Sequence, residues 1–202
     1  MARFNTVAAA NPYAMFGDVM TAAEIGEESG KNLLMGDPHL KSMVAKDGVN
    51  QASALVLTRW ETAKSLGVAD RAIFLHGHAT GSEPQVLNRK SLGQSEAMTV
   101  AYRNALAGAG IEAAQVSAAD LYSCFPIAVW VAMDALDMSL DDPRPFTLTG
   151  GLPFFGGPGN NYSTHGIAEM VHWLRAQPRP AYGVVGANGG YLSKHAVGVY
   201  AN

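Results

Sequence analysis

Apolar and polar positions fall into short blocks of two periods from Val49 onward. SALVLT (53–58) is a compact apolar run and reads as a buried strand. RWETAKSLG follows as a helix stopped by Gly67. RAIFLHGHA (71–79) is a second strand, and SEAMTVAYRNALAGAG (95–110) a helix with Met98, Tyr102 and Ala105 on one face. AADLY (118–122) is a short strand. SCFPIAVWVAMDAL (123–136) is apolar nearly all round, which predicts a buried helix. RPFTLTGG (144–151) reads as a strand. STHGIAEMVHWLRAQ (163–177) is amphipathic, with Ile167, Met170, Val171 and Leu174 at i, i+3, i+4 and i+7. YGVVGANGG and AVGVYA are two closing strands around a glycine turn. Strands alternating with helices predict an α/β layered domain, and the closely spaced last pair makes its sheet mixed.

Residues 1–47 lack this order. NPY, GDV, ESGKN and GDPHLK are turn-forming pieces with no sustained period. A short helix near Thr21–Glu28 is expected, with Thr21 as N-cap and Glu24 closing a capping box. The division is an extended arm or connecting region over 1–47 and a domain over 48–202.

Composition changes this picture only a little. The chain is 48% hydrophobic and 15% charged, ample for a core and unlike a disordered segment. A net charge of −3 gives no basis for nucleic acid or an anionic membrane as partner. The single cysteine, Cys124, forms no internal disulfide, and Met1 is followed by a polar mixture rather than an apolar leader. A cytoplasmic setting is the expectation. No apolar run reaches membrane-spanning length.

Three turns carry candidate chemistry. The first is GGLPFFGGPGNNYSTH (150–165), where glycines allow close backbone approach to a ligand and a helix start offers free N–H groups. Such a loop suits a phosphate, a carboxylate or a developing oxyanion. It also serves as an ordinary chain reversal. The second is DLYSCFP, which sets Tyr122, Ser123 and Cys124 before the apolar helix. Ser123 is a natural N-cap. Tyr122 is a candidate proton donor once desolvated, and Cys124 is equally a small core residue. The third is GANGGYLSKH, with Asn188 as a hydrogen-bond donor. His165, in the first turn of its helix, is a candidate base or a plain surface histidine. His76 and His78 stand at i, i+2 with no third ligand, so no metal site is expected. His172 and His195 lie among ordinary surface residues. Trp60, Trp130 and Trp173 suit core or interface packing.

In this order the three stretches resemble the C-terminal half of the thiolase superfamily. The likeness runs over about residues 45–202 and is to thiolase-like proteins of the acetyl-CoA acetyltransferase type, related to sterol-carrier-protein-X thiolases. DLYSCFP is similar to the family's Asn-Glu-Ala-Phe or His-Asp-Cys-Phe motif, GGLPFFGGP to its Gly-His-Pro loop, and GANGG to its Cys-x-Gly-Gly turn. The resemblance implies a thiolase-like half-fold: a mixed sheet with central buried helices on one face and a covering helix layer on the other. It implies a thiolase-like acyl-CoA acyltransferase half. The departures are specific. Tyr122 replaces the motif's asparagine, Gly157 its histidine, and Ala187 its acid/base cysteine. Cys124 matches the cysteine of His-Asp-Cys-Phe, which is not the nucleophile.

A Claisen condensation needs a thiolate and a base, so this chain alone is not expected to run one. The expected site has Tyr122 and His165 as catalytic groups. Gly156, Gly157, Asn160, Asn161, Asn188 and Gly189 would hold the thioester. Its substrate is a coenzyme A thioester, with no separate cofactor. Two other readings stay open: a non-catalytic CoA-binding or scaffolding subunit, and a thiolase-like aldolase or lyase acting on acyl-CoA. A lone half would leave apolar surface in water. A homo-oligomer or a thiolase N-terminal-half chain is therefore the expected protein partner, beside acyl-CoA.

Overall fold

The computed structural model describes all 202 residues. In chain order the elements are α1 (Ala2–Ala10), α2 (Ala22–Gly26), β1 (Leu34–Gly36), β2 (His39–Leu40), α3 (Trp60–Ser65), β3 (Phe74–Ser82) and α4 (Glu96–Ala109). They continue with β4 (Val116–Asp120), α5 (Pro126–Ala135), α6 (Tyr162–Arg175), β5 (Tyr182–Gly189) and β6 (Lys194–Ala201). β1 and β2 form a small hairpin, and the other strands make one sheet ordered β3-β6-β5-β4. β4 runs parallel to β5, while β5–β6 and β6–β3 are antiparallel. The mixed sheet ending in an antiparallel pair is as the pattern predicts.

Alternation along the strands assigns the two faces. On one face Val184 and Val199 pair across β5 and β6, inside the main core with α4 and α5. On the other, Val185 joins Met170 and Leu174 of α6. The apolar helix α5 and the amphipathic helix α6 therefore lie on opposite faces. α4 is bounded by local signals. Ser95 Oγ accepts from Met98 N at 3.1 Å, and Gly110 closes the helix at φ 69. α4 also rests directly on β3, where the Ala105 carbonyl and the Ala109 amide occupy the space a side chain on Gly77 would need.

The arm residues wrap this domain. The capping box of Thr21 and Glu24 forms as expected. α1, in a segment without sustained period, packs Phe4 and Ala8 into the main core, and the backbone at Ala8 presses on Gly150 (φ 108). Met15 N and Phe16 N donate to the carbonyls of Phe155 and Phe154 at 2.8 and 3.0 Å.

Several expectations are corrected. Residues 53–58 form no strand and join no sheet, and Val56 and Leu57 are 97% and 85% exposed. An apolar run encodes a strand's surface but cannot supply its neighbour. Residues 144–151 also lie outside the sheet. They run beside β4, with Ala119 N donating to Pro145 O and Leu121 N to Phe146 O, both at 2.9 Å. The helix expected over 123–136 begins at Pro126 with Phe125 as its N-cap, so Ser123 does not cap it. It is not buried all round either, since Phe125, Ile127 and Trp130 face outward. α6 covers β5 and β4, leaving Leu75, His78, Thr80 and Ala196 of β3 and β6 open on that face. No helix is long and apolar enough to cross a membrane.

Candidate functional site

β4 delivers the first motif. Its last residue, Asp120, is fully buried, and Oδ2 accepts from Leu148 N (2.8 Å), Thr149 N (2.9 Å), Thr149 Oγ1 (3.0 Å) and Thr147 Oγ1 (3.1 Å). Those bonds hold residues 147–149 against the strand end, so that Gly150 and Gly151 turn the chain directly over Ser123. Ser123 Oγ accepts from Leu152 N at 3.0 Å, which locks the first motif to the glycine loop. Nothing in the sequence pattern singled out Asp120. The available signal was an acid inside the apolar run AADLY, a residue type rarely buried without partners.

The third motif meets the first at Cys124, whose Sγ lies 3.5 Å from Asn188 Oδ1 near the end of β5. Tyr122 is half-buried and sets its ring edge against Tyr162 at 5.4 Å. Tyr162 in turn shares a 2.8 Å hydrogen bond with Thr149 Oγ1. Burial raises the Tyr122 pKa, and Cys124 adds to the rise, so the phenol stays a proton donor. Burial likewise raises the Cys124 thiol, outweighing its hydrogen bonds. A thiol held protonated is a poor nucleophile. Cys124 is therefore expected to alkylate with iodoacetamide at pH 8 about tenfold more slowly than free glutathione. Mass spectrometry of timed samples reads this, and a rate equal to glutathione's would refute it.

The remaining expected residues divide. Gly156 and Gly157 are buried, but the Gly157 N–H is already committed to the Lys46 carbonyl at 2.8 Å. Asn160 is exposed. Asn161 clasps Ser53, with Oδ1 accepting from Ser53 N at 3.0 Å and Nδ2 donating to Ser53 O at 3.3 Å. Gly189 O accepts from Ser193 N at 2.9 Å and so closes the last hairpin. His165 is neither at the surface nor beside Tyr122. It is 8% exposed, its ring stands edge-on to Phe155 at 5.2 Å, and Phe155 and Tyr162 lie between it and Tyr122. Burial lowers its pKa, so the imidazole is neutral at pH 7.

The structure thus packs Tyr122 and Cys124 on the Leu152 end of the glycine loop, brings Asn188 to Cys124, and sets His165 apart. His195 is also buried, contrary to its expected surface position, with Nε2 3.1 Å from Ser95 Oγ. His76 and His78 are exposed, and no group of three or more metal-ligating side chains gathers anywhere.

No protein-family model matches the chain, and no curated protein matches it. Among solved structures it is similar to a monomeric SCP2-thiolase-like protein type 1 from Mycobacterium smegmatis. The identity is 46% over 98% of this chain, with a TM-score of 0.92. The chain spans 44% of that protein's length. Sheet order, helix layers and this close superposition give one conclusion: the chain has a thiolase-like half-fold.

Proposed function

We propose that this chain is the acyl-CoA-binding half of a thiolase-like acyltransferase and that it transfers no acyl group by itself. The observation that carries this reading is the contact of Cys124 with Asn188, with Tyr122 and Cys124 both packed on the Leu152, Phe155 and Tyr162 cluster. A protonated phenol and a side-chain amide there can hydrogen-bond a thioester carbonyl. The same cluster has no thiolate, and its lone imidazole candidate stands behind Phe155. Acyl transfer needs a nucleophile and a base acting on one carbon, and those would have to come from elsewhere.

The open half of the α6-side face, the unpaired run 53–58 and the outward Phe125 and Trp130 support a second α/β half as protein partner, with a homo-oligomer as the alternative. A single protonated thiol suits a reducing setting such as the cytoplasm. A specific feature also keeps the lyase reading in play. Burial keeps the Tyr122 phenol protonated, which suits an acid, and a carbon–carbon cleavage needs no cysteine nucleophile.

Acetoacetyl-CoA tests the proposal. With CoA present, the enolate absorbance should hold steady while calorimetry shows acetoacetyl-CoA binding. Tyr122→Phe should weaken that binding by about fivefold, the worth of one hydrogen bond. Loss of absorbance would show that the chain is an acyltransferase on its own. Absence of binding would remove acyl-CoA as its ligand.

A further inference from the structure

Two cavities of about 530 and 740 Å³ adjoin where the arm crosses α6. Pro12, Tyr13, Ala168 and Glu169 line both, so Glu169 stands at their common wall. The smaller cavity extends toward residues 50–53 and His165, the larger toward Asn11, Leu148 and His172. The arm is fastened here by side-chain amides. Gln51 Nε2 donates to Tyr13 O at 2.9 Å and to Phe155 O at 3.0 Å, and Asn11 Nδ2 donates to Thr149 O at 3.2 Å.

Glu169 is the unmatched charge in this place. It is half-buried, and its carboxylate accepts one long hydrogen bond, 3.4 Å from Asn11 Nδ2. The molecule's one ion pair joins Arg144 to Asp142, so no Lys, Arg or His nitrogen comes within 4 Å of Glu169. Neither cavity is lined by Lys or Arg, and Glu169 is the one acid in either. Burial pushes two carboxyls of the chain upward, Asp120 and Glu169. Four donors compensate Asp120, whereas Glu169 has its single weak contact. Asp120 adds to the rise at Glu169 from beneath α6, where its Oδ1 would lie 2.9 Å from a side-chain carbon on Gly166.

A carboxylate drawn partly out of water without a countercharge is stabilised by a cation placed beside it. The same charge repels phosphates and free carboxylic acids. A divalent metal ion needs several oxygen ligands, and no group of three metal-ligating side chains gathers here. Beyond Glu169 the walls carry the apolar Pro12, Leu148 and Ala168, which suit hydrocarbon rather than a bare hydrated ion. We propose that Glu169 anchors an organic ammonium ligand where these two cavities meet, with the ligand's hydrocarbon part against Pro12 and Ala168. The site does not depend on the acyl-CoA reading, since neither Tyr122 nor Asn188 lines either cavity.

Cyclohexylammonium, cyclohexanol and cyclohexanecarboxylate, matched in shape and differing in charge, test the assignment when titrated into the full chain at pH 7 and followed by NMR. The ammonium should bind saturably, at about millimolar affinity for so small a molecule. The alcohol and the carboxylate should bind at least about tenfold more weakly. Glu169→Gln keeps the shape and removes the charge, and should cost about tenfold in ammonium affinity. Glu27→Gln, which removes an exposed acid outside both cavities, should leave that affinity unchanged. Saturating ammonium should also shift the titration of the Glu169 carboxyl resonance to lower pH, which a purely structural glutamate would not show. Melting curves of both variants separate lost binding from lost folding. Alcohol or carboxylate binding as tight as the ammonium's would overturn the proposal. So would equal losses in Glu169→Gln and Glu27→Gln, an unmoved Glu169 titration, or no ammonium binding at all.

Discussion

Gly77→Ala is expected to cost about 3 kcal/mol or more, enough to remove much of a small domain's stability. The added methyl would overlap the Ala105 carbonyl and lie 2.6 Å from Ala109 N, both backbone atoms of α4. A side chain could swing away, but a helix backbone moves only as a whole. Lifting α4 would strip its contacts from Val197 and Val199 across the main core. Gly48→Ala is the matched control, because nothing lies within 4 Å of the added carbon. That variant should stay within about 0.5 kcal/mol of wild type. Urea unfolding of the pair decides the matter. Equal midpoints would mean that α4 does not rest on β3 as described.

The second large effect belongs to Asp120. Asp120→Ala should cost about 4 kcal/mol, because two backbone amides and two threonine hydroxyls lose their shared acceptor inside the protein. Asp120→Asn keeps an acceptor where Oδ2 sits and should cost about 1 kcal/mol. The two variants also differ from wild type in pH dependence. Burial raises the Asp120 pKa above its ordinary 3.8, and the four hydrogen bonds only partly offset this. A raised carboxyl pKa means that the folded state keeps a proton the unfolded state has released. Its contribution is fully present below pH 3.8 and lost as pH rises through the folded value. Wild type should therefore lose stability relative to Asp120→Asn as pH climbs above 4, with no such trend between Asp120→Asn and Asp120→Ala. Parallel curves for all three would show that Asp120 titrates normally. Because Thr149 also bonds Tyr162, and Tyr162 supports Tyr122, Asp120→Ala should weaken acetoacetyl-CoA binding along with the fold.

Only part of the candidate site was legible beforehand. Tyr122, Cys124 and Asn188 announced themselves because each follows or ends a strand whose pattern was clear. Strand ends on one side of a sheet gather at one edge. Gly157 and Asn161 were read for the backbone freedom and polarity of their loop. Their bonding groups are spent on Lys46 and Ser53, residues more than a hundred positions away. His165 was placed correctly on its helix but not among its neighbours. Helical spacing says which face a residue shares, not that Phe155 and the arm would close over it.

What the sequence determined by itself is local. Ser95 and Gly110 bounded α4, Thr21 and Glu24 capped α2, and alternating residues assigned β5 and β6 to the sheet. The caps act within a few residues and β5 and β6 are joined by a short hairpin, so local spacing encodes the outcome. Only the tertiary structure decided that 53–58 has no strand beside it, that α5 and α6 take opposite faces, and that Asp120 anchors the glycine loop. Those outcomes turn on which distant backbone donor or acceptor arrives at each buried group. A linear pattern of apolar and polar residues carries no record of that.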